Sequence, residues 1–290
     1  MEVLATRAAW QRALEAHRRA GSTIGFVPTM GALHAGHISL VEAARQSCDV
    51  VTSSIFVNPL QFGDASDLER YPRTLAADSA LLEETGCDLV FTPPVEEMYP
   101  TLPTPMTTSV VATGAALGLE AEERPGHFDG VVTVLTLLFN LVGRSTAYFG
   151  EKDFQQLAVV RQLVADLGFP VEIVGCPTIR EQDGLAMSSR NVRLSPAGRA
   201  AATVLSAALA VGARAIEDGA GPSAAEAAMV ATIEAEPQAA LSYACVVDPT
   251  TLVRLSTMAN DQECRLLVAA VIDRVRLIDN RGATQQSPGS

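Results

Sequence analysis

Hydrophobic and polar positions follow two alternating patterns along the first two thirds of the chain. Short apolar runs that suit β-strands are followed by segments with the apolar spacing of amphipathic helices. This succession is typical of an α/β fold, in which helices cover a parallel sheet and ligands bind at the carboxyl ends of its strands. The predicted strands are Ile24–Val27, Val50–Val57, Asp88–Phe91, Thr146–Phe149 and Val171–Val174, and the predicted helices are Gly36–Gln46, Leu75–Glu84, Val131–Val142 and Phe154–Leu167.

The pattern changes after about Pro177. Ser195 and Pro196 suit a helix start, and an Ala-rich helix is expected from there to about Glu217. A second helix is expected at Ser223–Glu226, which matches a capping box. Three strand-like runs follow, Leu241–Val247, Arg265–Ile272 and Val275–Ile278. We therefore expect a Rossmann-like domain at residues 1–178, a smaller α+β lid domain at 179–282 and a loose tail at 283–290.

Composition narrows the function classes. The net charge of −12 argues against general nucleic-acid binding and against anionic membrane surfaces, although a local positive pocket can still hold a small anion. No apolar run approaches the ~18 residues that cross a bilayer, and the first residues lack the order of a signal peptide. Five scattered cysteines suit reduced thiols, so we expect a cytoplasmic protein without a disulfide frame or zinc site.

The first polar segment, PTMGALHAGH at residues 28–37, joins a predicted strand to a predicted helix. Gly31 and Gly36 let backbone approach a ligand closely, and the helix N-terminus offers N–H groups to a phosphate. His34 and His37 are three residues apart and can donate hydrogen bonds to phosphoryl oxygens from one face. The alternatives are solvated histidines in an ordinary turn, or a zinc pair that lacks a third ligand.

Two further segments suit a small polar substrate. FVNPLQF at residues 56–62 follows a strand and presents Asn58 and Gln61, which can bind a hydroxyl or a carboxylate. RPGHFDG at residues 124–130 places Arg124 and His127 before a predicted buried helix, where they suit a carboxylate. Taken alone, each segment is also compatible with an ordinary turn.

The last two segments suit a nucleotide. FGEKDFQQ at residues 149–156 joins a strand to a helix, and its Lys152, the single lysine of the chain, suits a phosphate. DGLAMSSRN at residues 183–191 lies where the two predicted domains meet and offers two hydroxyls and an arginine. The alternatives are a solvated helix cap and a polar interdomain loop.

Together and in this order, the five segments resemble the pantothenate synthetase (pantoate–β-alanine ligase) family, from Ile24 to about Leu194 and weakly beyond. PTMGALHAGH and GLAMSSRN are similar to the HIGH and KMSKS signatures of the nucleotidylyltransferase superfamily. FVNPLQFG, HFDGV and FGEKDFQQL are specific to the synthetase within it. The resemblance implies ATP-dependent condensation of pantoate with β-alanine through a pantoyl adenylate, with release of AMP and diphosphate.

The resemblance also implies roles for individual residues. His37 is implied as the general acid, and His34 and Lys152 as its partners on the phosphates. Gln61 and Gln156 are implied as pantoate contacts, beside which we expect Asn58, Arg124 and His127 to bind substrate. The residues implied in ATP binding are Pro28, Met30, Gly31, His34, Gly36, His37, Gly150, Glu151, Lys152, Asp153, Ile179, Met187, Ser188, Ser189 and Arg190.

One departure from the family concerns the metal. The family often carries several acidic residues after the YPRT string, and here only Asp78 remains as a candidate Mg²⁺ ligand. We expect Mg²⁺ to arrive held mainly by ATP phosphates and water, as is usual for this ion. Ala186 and Met187 stand where many superfamily members have lysine, so Lys152 must supply most of the local side-chain charge.

Two other functions stay open at this point. A plain adenylyltransferase would transfer AMP and stop, and a nucleotide-binding module would bind ATP without turnover. The resemblance favours an active ligase with small-molecule partners only, as a homodimer.

Overall fold

The computed structural model describes residues 1–63, 65–104 and 106–285 and contains two compact units. The first unit consists of residues 1–151 and 155–177, and the second consists of residues 152–154 together with the chain from Thr178 onward. Lys152–Phe154 therefore belong to the second unit, although the sequence analysis placed them within the first domain.

The first unit is built on a six-stranded sheet in the order β1-β4-β3-β2-β5-β6, and every pair of neighbours is parallel. Its strands are rich in buried Val, Ile and Phe because helices cover such sheets on both faces. The parallel α/β prediction is confirmed. The elements are β1 (Glu2–Leu4), α1 (Arg7–Arg19), β2 (Ile24–Thr29), α2 (Ala35–Ser47), β3 (Val50–Ile55), α3 (Ala65–Arg70), α4 (Leu75–Glu84), β4 (Leu89–Phe91), α5 (Val95–Met98), α6 (Glu120–Glu123), α7 (His127–Val142), β5 (Ser145–Gly150), α8 (Phe154–Leu167) and β6 (Val171–Cys176).

Five of these elements, β1, α1, α3, α5 and α6, were not predicted from the sequence. Helix α1 buries only Trp10 and Leu14, and its many Arg and Ala residues hide the apolar spacing. Thr6 caps the helix by accepting a hydrogen bond from Ala9 N at 3.3 Å. Helix α7 also begins four residues before its predicted start, because His127 and Phe128 are already buried in its first turn.

The second unit packs helices against a small antiparallel sheet in the order β7-β8-β9. Leu205, Leu209 and Ile216 pack with alternate strand residues such as Leu266 and Val268 in its core. Its elements are α9 (Pro196–Ala201), α10 (Val204–Glu217), α11 (Pro222–Glu234), β7 (Ala240–Val247), β8 (Glu263–Ile272) and β9 (Val275–Thr284). Short 3₁₀ turns lie along the whole chain, at Pro59–Gln61, Gly114–Ala116, Glu151–Asp153 and Asn191–Arg193.

Three local predictions in this unit need correction. The single Ala-rich helix is two helices, α9 and α10, which are separated at Ala202 and Thr203. The capping box at Ser223 does not form, because the helix begins earlier at Pro222 and Glu226 instead accepts a hydrogen bond from Val246 N at 2.8 Å. Strand β9 continues to Thr284, beyond the expected start of the tail, and residues 286–290 lie outside the described part of the chain.

One stretch, Pro196–Glu217, is long and apolar enough by length and composition to cross a membrane, contrary to the expectation from the sequence. Core helices of ordinary globular proteins meet the same criterion. Here the stretch contains a break between two helices, and its apolar face contributes Leu205 and Leu209 to the core of the second unit.

Candidate active site

The order of the strands brings three of the sequence motifs to one edge of the first unit. Strand β2 lies between β3 and β5. The chain adds β3 and β4 on one side of β2 and then crosses to add β5 and β6 on the other side. Ligands of open α/β sheets bind at such a switch point, beyond the carboxyl ends of the strands. The segment after β2 carries His34 and His37, the segment after β3 carries Asn58 and Gln61, and β5 ends at Gly150.

The loop after β2 is held by a buried carboxylate. Gly31 and Ala32 both have positive φ, 81° and 51°, which glycine tolerates and alanine rarely adopts. Asp78 Oδ2 accepts a hydrogen bond from Ala32 N at 3.0 Å, and its Oδ1 accepts one from Leu33 N at 2.8 Å. A Cβ at Gly31 would lie 3.0 Å from Asp78 Oδ2, so the carboxylate approaches the backbone as closely as glycine allows.

These contacts engage both carboxylate oxygens of Asp78, the residue predicted as a Mg²⁺ ligand, with the loop. Its side chain is only 2% exposed, and Thr74 Oγ1 donates a third hydrogen bond to Oδ2 at 3.1 Å. Within the described residues, no group of three or more His, Cys, Asp or Glu side chains is arranged to hold a metal ion. Asp78 thus stabilises the loop that leads into α2.

His34 and His37 together cap the N-terminus of α2. His34 is the N-cap residue, and its Nδ1 accepts a hydrogen bond from Gly36 N at 3.1 Å. His37 Nδ1 accepts a hydrogen bond from His34 N at 3.3 Å, which completes a reciprocal capping box. The two rings lie 4.2 Å apart between centroids and are tilted by 49°.

This capping arrangement fixes the tautomer of both rings. A ring nitrogen that accepts a backbone N–H carries no proton, so the proton of each neutral imidazole is assigned to Nε2 from the hydrogen-bond network. Both Nε2–H groups therefore act as donors at the positive end of the helix dipole. Neutral donors at a helix N-terminus are suited to phosphoryl oxygens.

Gln61 is held by a set of buried amides and an aromatic hydroxyl. Its Oε1 accepts a hydrogen bond from Asn58 Nδ2 at 2.9 Å, and its Nε2 lies 3.0 Å from Met30 Sδ. Asn58 is 1% exposed; Tyr99 Oη donates to its Oδ1 at 2.7 Å, and its Nδ2 also donates to Gly130 O at 3.0 Å. Asn58 therefore supports Gln61, while Gln61 lies beside the β2 loop.

His127 supports the same turn from α7. Arg124 Nη1 lies 3.1 Å from His127 Nε2 and can only donate, so Nε2 is the acceptor. The proton of a neutral ring then lies on Nδ1, which donates to Gln61 O at 3.0 Å. The predicted substrate pair Arg124 and His127 is thus engaged with the turn that carries Gln61, and His127 is buried.

The start of α8 carries two glutamines with different surroundings. Gln155 is buried and donates to the carbonyl oxygens of Ala115, Leu117 and Gly118. It therefore fixes the loop that precedes α6, not the segment before its own helix. Gln156, the predicted pantoate contact, is half-buried. Pro28 is also half-buried, within β2 and opposite Ser54 of β3.

The second unit contains Lys152–Phe154 and the segment DGLAMSSRN, which were predicted from the sequence to bind a nucleotide. Lys152 is half-buried, and its Nζ lies 3.3 Å from Asp153 Oδ1. Ile179–Met187 forms a short hairpin in which Met187 N donates to Ile179 O at 2.9 Å. In the loop that follows, Ser188 Oγ accepts a hydrogen bond from Arg190 N at 3.2 Å. Residues 187–190 are all half-buried.

Arg199 stabilises the turn of this hairpin. Its guanidinium bonds Glu181 Oε2 at 2.6 Å and Asp183 Oδ2 at 2.7 Å. These hydrogen bonds hold the pKa of the Asp183 carboxyl below its usual range and raise the pKa of Arg199. Asn191 Nδ2 donates to Glu181 Oε1 at 3.0 Å and to Ala186 O at 3.1 Å, which ties the loop back onto the hairpin.

The chain matches a known protein family over nearly its whole length. The sequence profile of the pantoate-beta-alanine ligase family matches residues 2–282. The chain belongs to the pantoate-beta-alanine ligase family. Pantothenate synthetase of Allorhizobium ampelinum is 49% identical over 288 residues, which cover 99% of this chain and 98% of that protein. Pantothenate synthetase of Agrobacterium fabrum is 50% identical over 284 residues, 97% of this chain and 95% of that protein.

Solved structures of this family share the fold. The crystal structure of pantothenate synthetase from Thermus thermophilus has a TM-score of 0.89 at 48% identity and covers 97% of this chain and 99% of its own. The pantoate-beta-alanine ligase of Francisella tularensis has a TM-score of 0.77 at 32% identity over the full length of both chains. That structure is described as a complex with beta-gamma ATP and beta-alanine.

Several residues of the site were not singled out from the sequence. Thr29 Oγ1 donates to Ser54 O at 2.8 Å and accepts from Gly31 N at 3.2 Å, so it links two strand ends to the loop. Tyr99 is far from Asn58 in the sequence, and burial raises the pKa of its hydroxyl, which therefore stays a donor. Thr29 lies in the first motif but its role there depends on a contact with β3, and Tyr99 lies outside every motif, so only the fold reveals these contacts.

Proposed function

We propose that this chain joins pantoate to β-alanine at the expense of ATP in two steps. In the first step, a pantoate carboxylate oxygen attacks the α-phosphorus of ATP in line; the new P–O bond gives pantoyl adenylate, and the bond to diphosphate breaks. In the second step, the β-alanine amine attacks the acyl carbon, an amide forms, and AMP leaves. Neither step needs a protein nucleophile. Catalysis then rests on positioning and on stabilisation of developing charge.

The observation that carries this proposal is the histidine capping box at α2. Both Nε2–H donors are fixed by hydrogen bonds from backbone to Nδ1, so they need no reorganisation when negative charge develops on the phosphates. We assign His37 to the leaving diphosphate and His34 as a second phosphate contact, each through its neutral Nε2–H donor. Pro28, Met30, Gly31 and Gly36 supply backbone along the same ATP-binding segment.

Pantoate is assigned to Gln61 and Gln156. Asn58 and Met30 contact the two ends of the Gln61 side-chain amide, which favours a single orientation of that amide. His127 holds the backbone oxygen of the same residue. An amide held in this way can read the hydroxyl and carboxylate of pantoate with little loss of side-chain entropy. Arg124 adds positive charge to this turn, and Asn58 and His127 act through Gln61.

From the second unit, Lys152 is assigned to the ATP phosphates as a mobile point charge. Gly150, Glu151 and Asp153 belong to the same ATP segment, and the backbone of Ile179 is assigned to adenine. Met187, Ser188, Ser189 and Arg190 are assigned to the nucleotide loop. Mg²⁺ is proposed to enter as the ATP complex, bound by phosphate oxygens and water, and it would further neutralise the phosphates.

We further propose that the chain is cytoplasmic and forms a homodimer, with ATP, pantoate and β-alanine as its ligands and no nucleic-acid or membrane partner. The acidic net charge and the scattered thiols support this location. Sedimentation velocity at several protein concentrations tests the oligomeric state, and a concentration-independent species of about 30 kDa, the mass of one chain, would rule the dimer out.

The direct test is release of AMP and diphosphate by purified protein with ATP and Mg²⁺, in reactions that omit D-pantoate or β-alanine in turn. AMP release that requires both substrates is the expected result. Diphosphate release with pantoate alone, unaffected by β-alanine, would favour a plain adenylyltransferase. ATP binding without any turnover would favour a nucleotide-binding module.

A further inference from the structure

Asn280 is a buried asparagine of β9 that lies outside all five motifs. It is 3% exposed, and asparagine is uncommon inside strands. Its Oδ1 accepts a hydrogen bond from Arg265 Nε at 2.7 Å, and its Nδ2 donates to the backbone oxygen of Lys152 at 2.8 Å. A buried amide with both ends engaged has a fixed orientation.

Arg265 decides which way this amide points. A guanidinium can only donate, so Oδ1 of Asn280 must face Arg265, and Nδ2 must face Lys152 O. Arg265 is itself placed by the ring of Phe154, with its Cζ 4.1 Å from the ring centroid. The segment Lys152–Phe154 is therefore held at its first residue by Asn280 and at its last by Arg265.

Asp279, the residue before Asn280 in β9, holds the hairpin Ile179–Met187, which is called the nucleotide hairpin from here on. Successive strand residues face opposite sides of a sheet, so Asp279 lies on the core side opposite Val268, while Asn280 lies on the other side. Both oxygens of Asp279 accept hydrogen bonds from Arg180, at 2.6 and 2.9 Å. Arg180 follows Ile179 in the hairpin and also donates to Asn280 O at 3.3 Å. One point of β9 thus fixes both nucleotide segments of the second unit.

We propose that Asn280 is a positioning residue for Lys152: it holds the lysine backbone so that the ammonium group is placed for the developing phosphate charge. This inference rests on the proposed phosphate role of Lys152. Asn280 transfers no proton and contacts no substrate in this role. Stabilisation of a transition state is sensitive to displacements of about 1 Å, which can cost about 10²-fold in rate. Loss of the Asn280 contact should therefore lower kcat more than it changes KM.

The decisive variant is Asn280→Asp, which has nearly the same shape. A carboxylate still accepts from Arg265, but it offers an oxygen to the Lys152 carbonyl where the amide offered a donor. We expect kcat for AMP release to fall about 10- to 100-fold, with KM for ATP changed less than about threefold. Thr284→Ala, an exposed change at the end of the same strand, is the matched control and should keep normal kcat.

A double-mutant cycle separates positioning from a general structural effect. In a Lys152→Ala background, Asn280→Asp should lower kcat by less than about twofold, because the group that it positions is gone. Full additivity of the two changes would overturn the proposal. If Lys152→Ala alone keeps normal kcat, the phosphate role of Lys152 fails first, and this outcome is distinct from failure of the positioning role.

A second measurement does not depend on activity. The chain has a single lysine, so protein grown with ¹³C-lysine gives NMR signals from Lys152 alone. Asn280→Asp should shift the Lys152 carbonyl and Cε signals while Thr284→Ala leaves them in place, and thermal unfolding shows that both variants are folded. Unchanged Lys152 signals in folded Asn280→Asp protein would overturn the proposal.

Discussion

At the start of α2, His34 occupies the N-cap, where Ser, Thr, Asp or Asn is usual, and His37 occupies the third helical position, where a capping box usually has Glu or Gln. Each ring uses Nδ1 for the helix terminus and keeps Nε2–H as a donor. A shorter capping side chain would satisfy the backbone but would leave no group to reach a phosphate. The capping role and the assigned catalytic role of these residues can therefore be separated by substitution.

The first prediction concerns His34. His34→Asn keeps an oxygen that can accept from the helix N-terminus but loses the ring N–H, whereas His34→Ala loses both. We expect both variants to lower kcat by about 10²–10³-fold, the usual cost of one such donor. Only His34→Ala should also lose about 1 kcal/mol of unfolding free energy in urea titrations. A His34→Asn enzyme with near-normal turnover would remove this ring from the mechanism.

His37→Ala makes a parallel prediction about turnover. It removes the acceptor for His34 N and the Nε2–H donor assigned to the diphosphate. We expect the fold to be retained. We expect a loss of about 10²–10³-fold in kcat for AMP release. Far-ultraviolet circular dichroism checks the fold, and an unfolded variant would leave His37→Asn as the informative change.

Buried thiols supply a prediction about pH. Burial raises the pKa of Cys87 from 9.0 to about 12, and Asp88 adds to this effect; burial also raises the pKa of Cys245 and Cys264 to about 11. A thiol whose pKa is raised by folding favours the folded state fully below pH 9 and loses that contribution as the pH rises through the folded pKa. Unfolding free energy in urea should therefore fall steadily from pH 9 toward pH 11.

Cys87→Ala provides the comparison for this pH effect. The variant is expected to be less stable at pH 8, because a buried side chain is lost, but its stability should fall less steeply above pH 9. If the unfolding free energies of the two proteins fall in parallel between pH 8 and pH 11, the raised pKa of Cys87 would be contradicted.

At the scale of elements, α7 and the 3₁₀ turn at Pro59–Gln61 approach at Gly130. A Cβ at Gly130 would lie 2.3 Å from Leu60 O and 2.6 Å from Gln61 N, so the turn would have to move. Gly130→Ala should therefore displace Gln61 and raise KM for pantoate at least tenfold, and it should also lower stability. The measurement is initial-rate kinetics with pantoate varied at saturating ATP and β-alanine.

A control for Gly130→Ala must separate displacement from plain destabilisation. Val134→Ala removes buried volume from the same helix and should cost about 2 kcal/mol of stability, but it should leave KM for pantoate nearly unchanged. If both variants raise KM equally, the loss of stability would explain the result better than the position of Gln61.

The pair between β9 and the nucleotide hairpin gives a prediction about stability. Asp279 is buried and receives two hydrogen bonds from Arg180, so Arg180→Met would leave a buried carboxylate without its partner. We expect a loss of about 3–5 kcal/mol in urea unfolding. Arg214→Met breaks an exposed helix pair with Asp218 and should cost less than about 1 kcal/mol. Equal losses for the two variants would contradict the buried-pair account.

At the scale of the whole chain, the sequence predicted elements with strong periodicity well. Helices α4 and α8 begin and end where the apolar spacing placed them, and the parallel sheet follows from the alternation of strand and helix. Local signals did worse where long-range packing decides the result. Pro222 begins α11 before Ser223 can cap it, and Glu226 is used by β7 instead.

The candidate site could be predicted as a set of motifs but not as a network. The motifs identified His34, His37, Gln61 and Lys152 because each lies in a polar segment after a strand. The supporting contacts join residues that are distant in the chain, such as Asp78 with the β2 loop and Asn280 with Lys152. No local pattern signals such pairs, since only the packing of the sheets brings them together.

The shortage of lysine has a chemical consequence of its own. Acyl adenylates acylate free amines, and an enzyme that forms one exposes its own surface to self-modification. Arginine guanidinium groups remain protonated and are poor nucleophiles, and they supply every basic side chain here except Lys152 and the four histidines. Stray acyl transfer to side-chain amines is therefore confined to a single half-buried position, where it would remove the charge assigned to ATP. Intact-mass analysis after prolonged turnover without β-alanine should show at most one added pantoyl group on a lysine, and several would contradict this view.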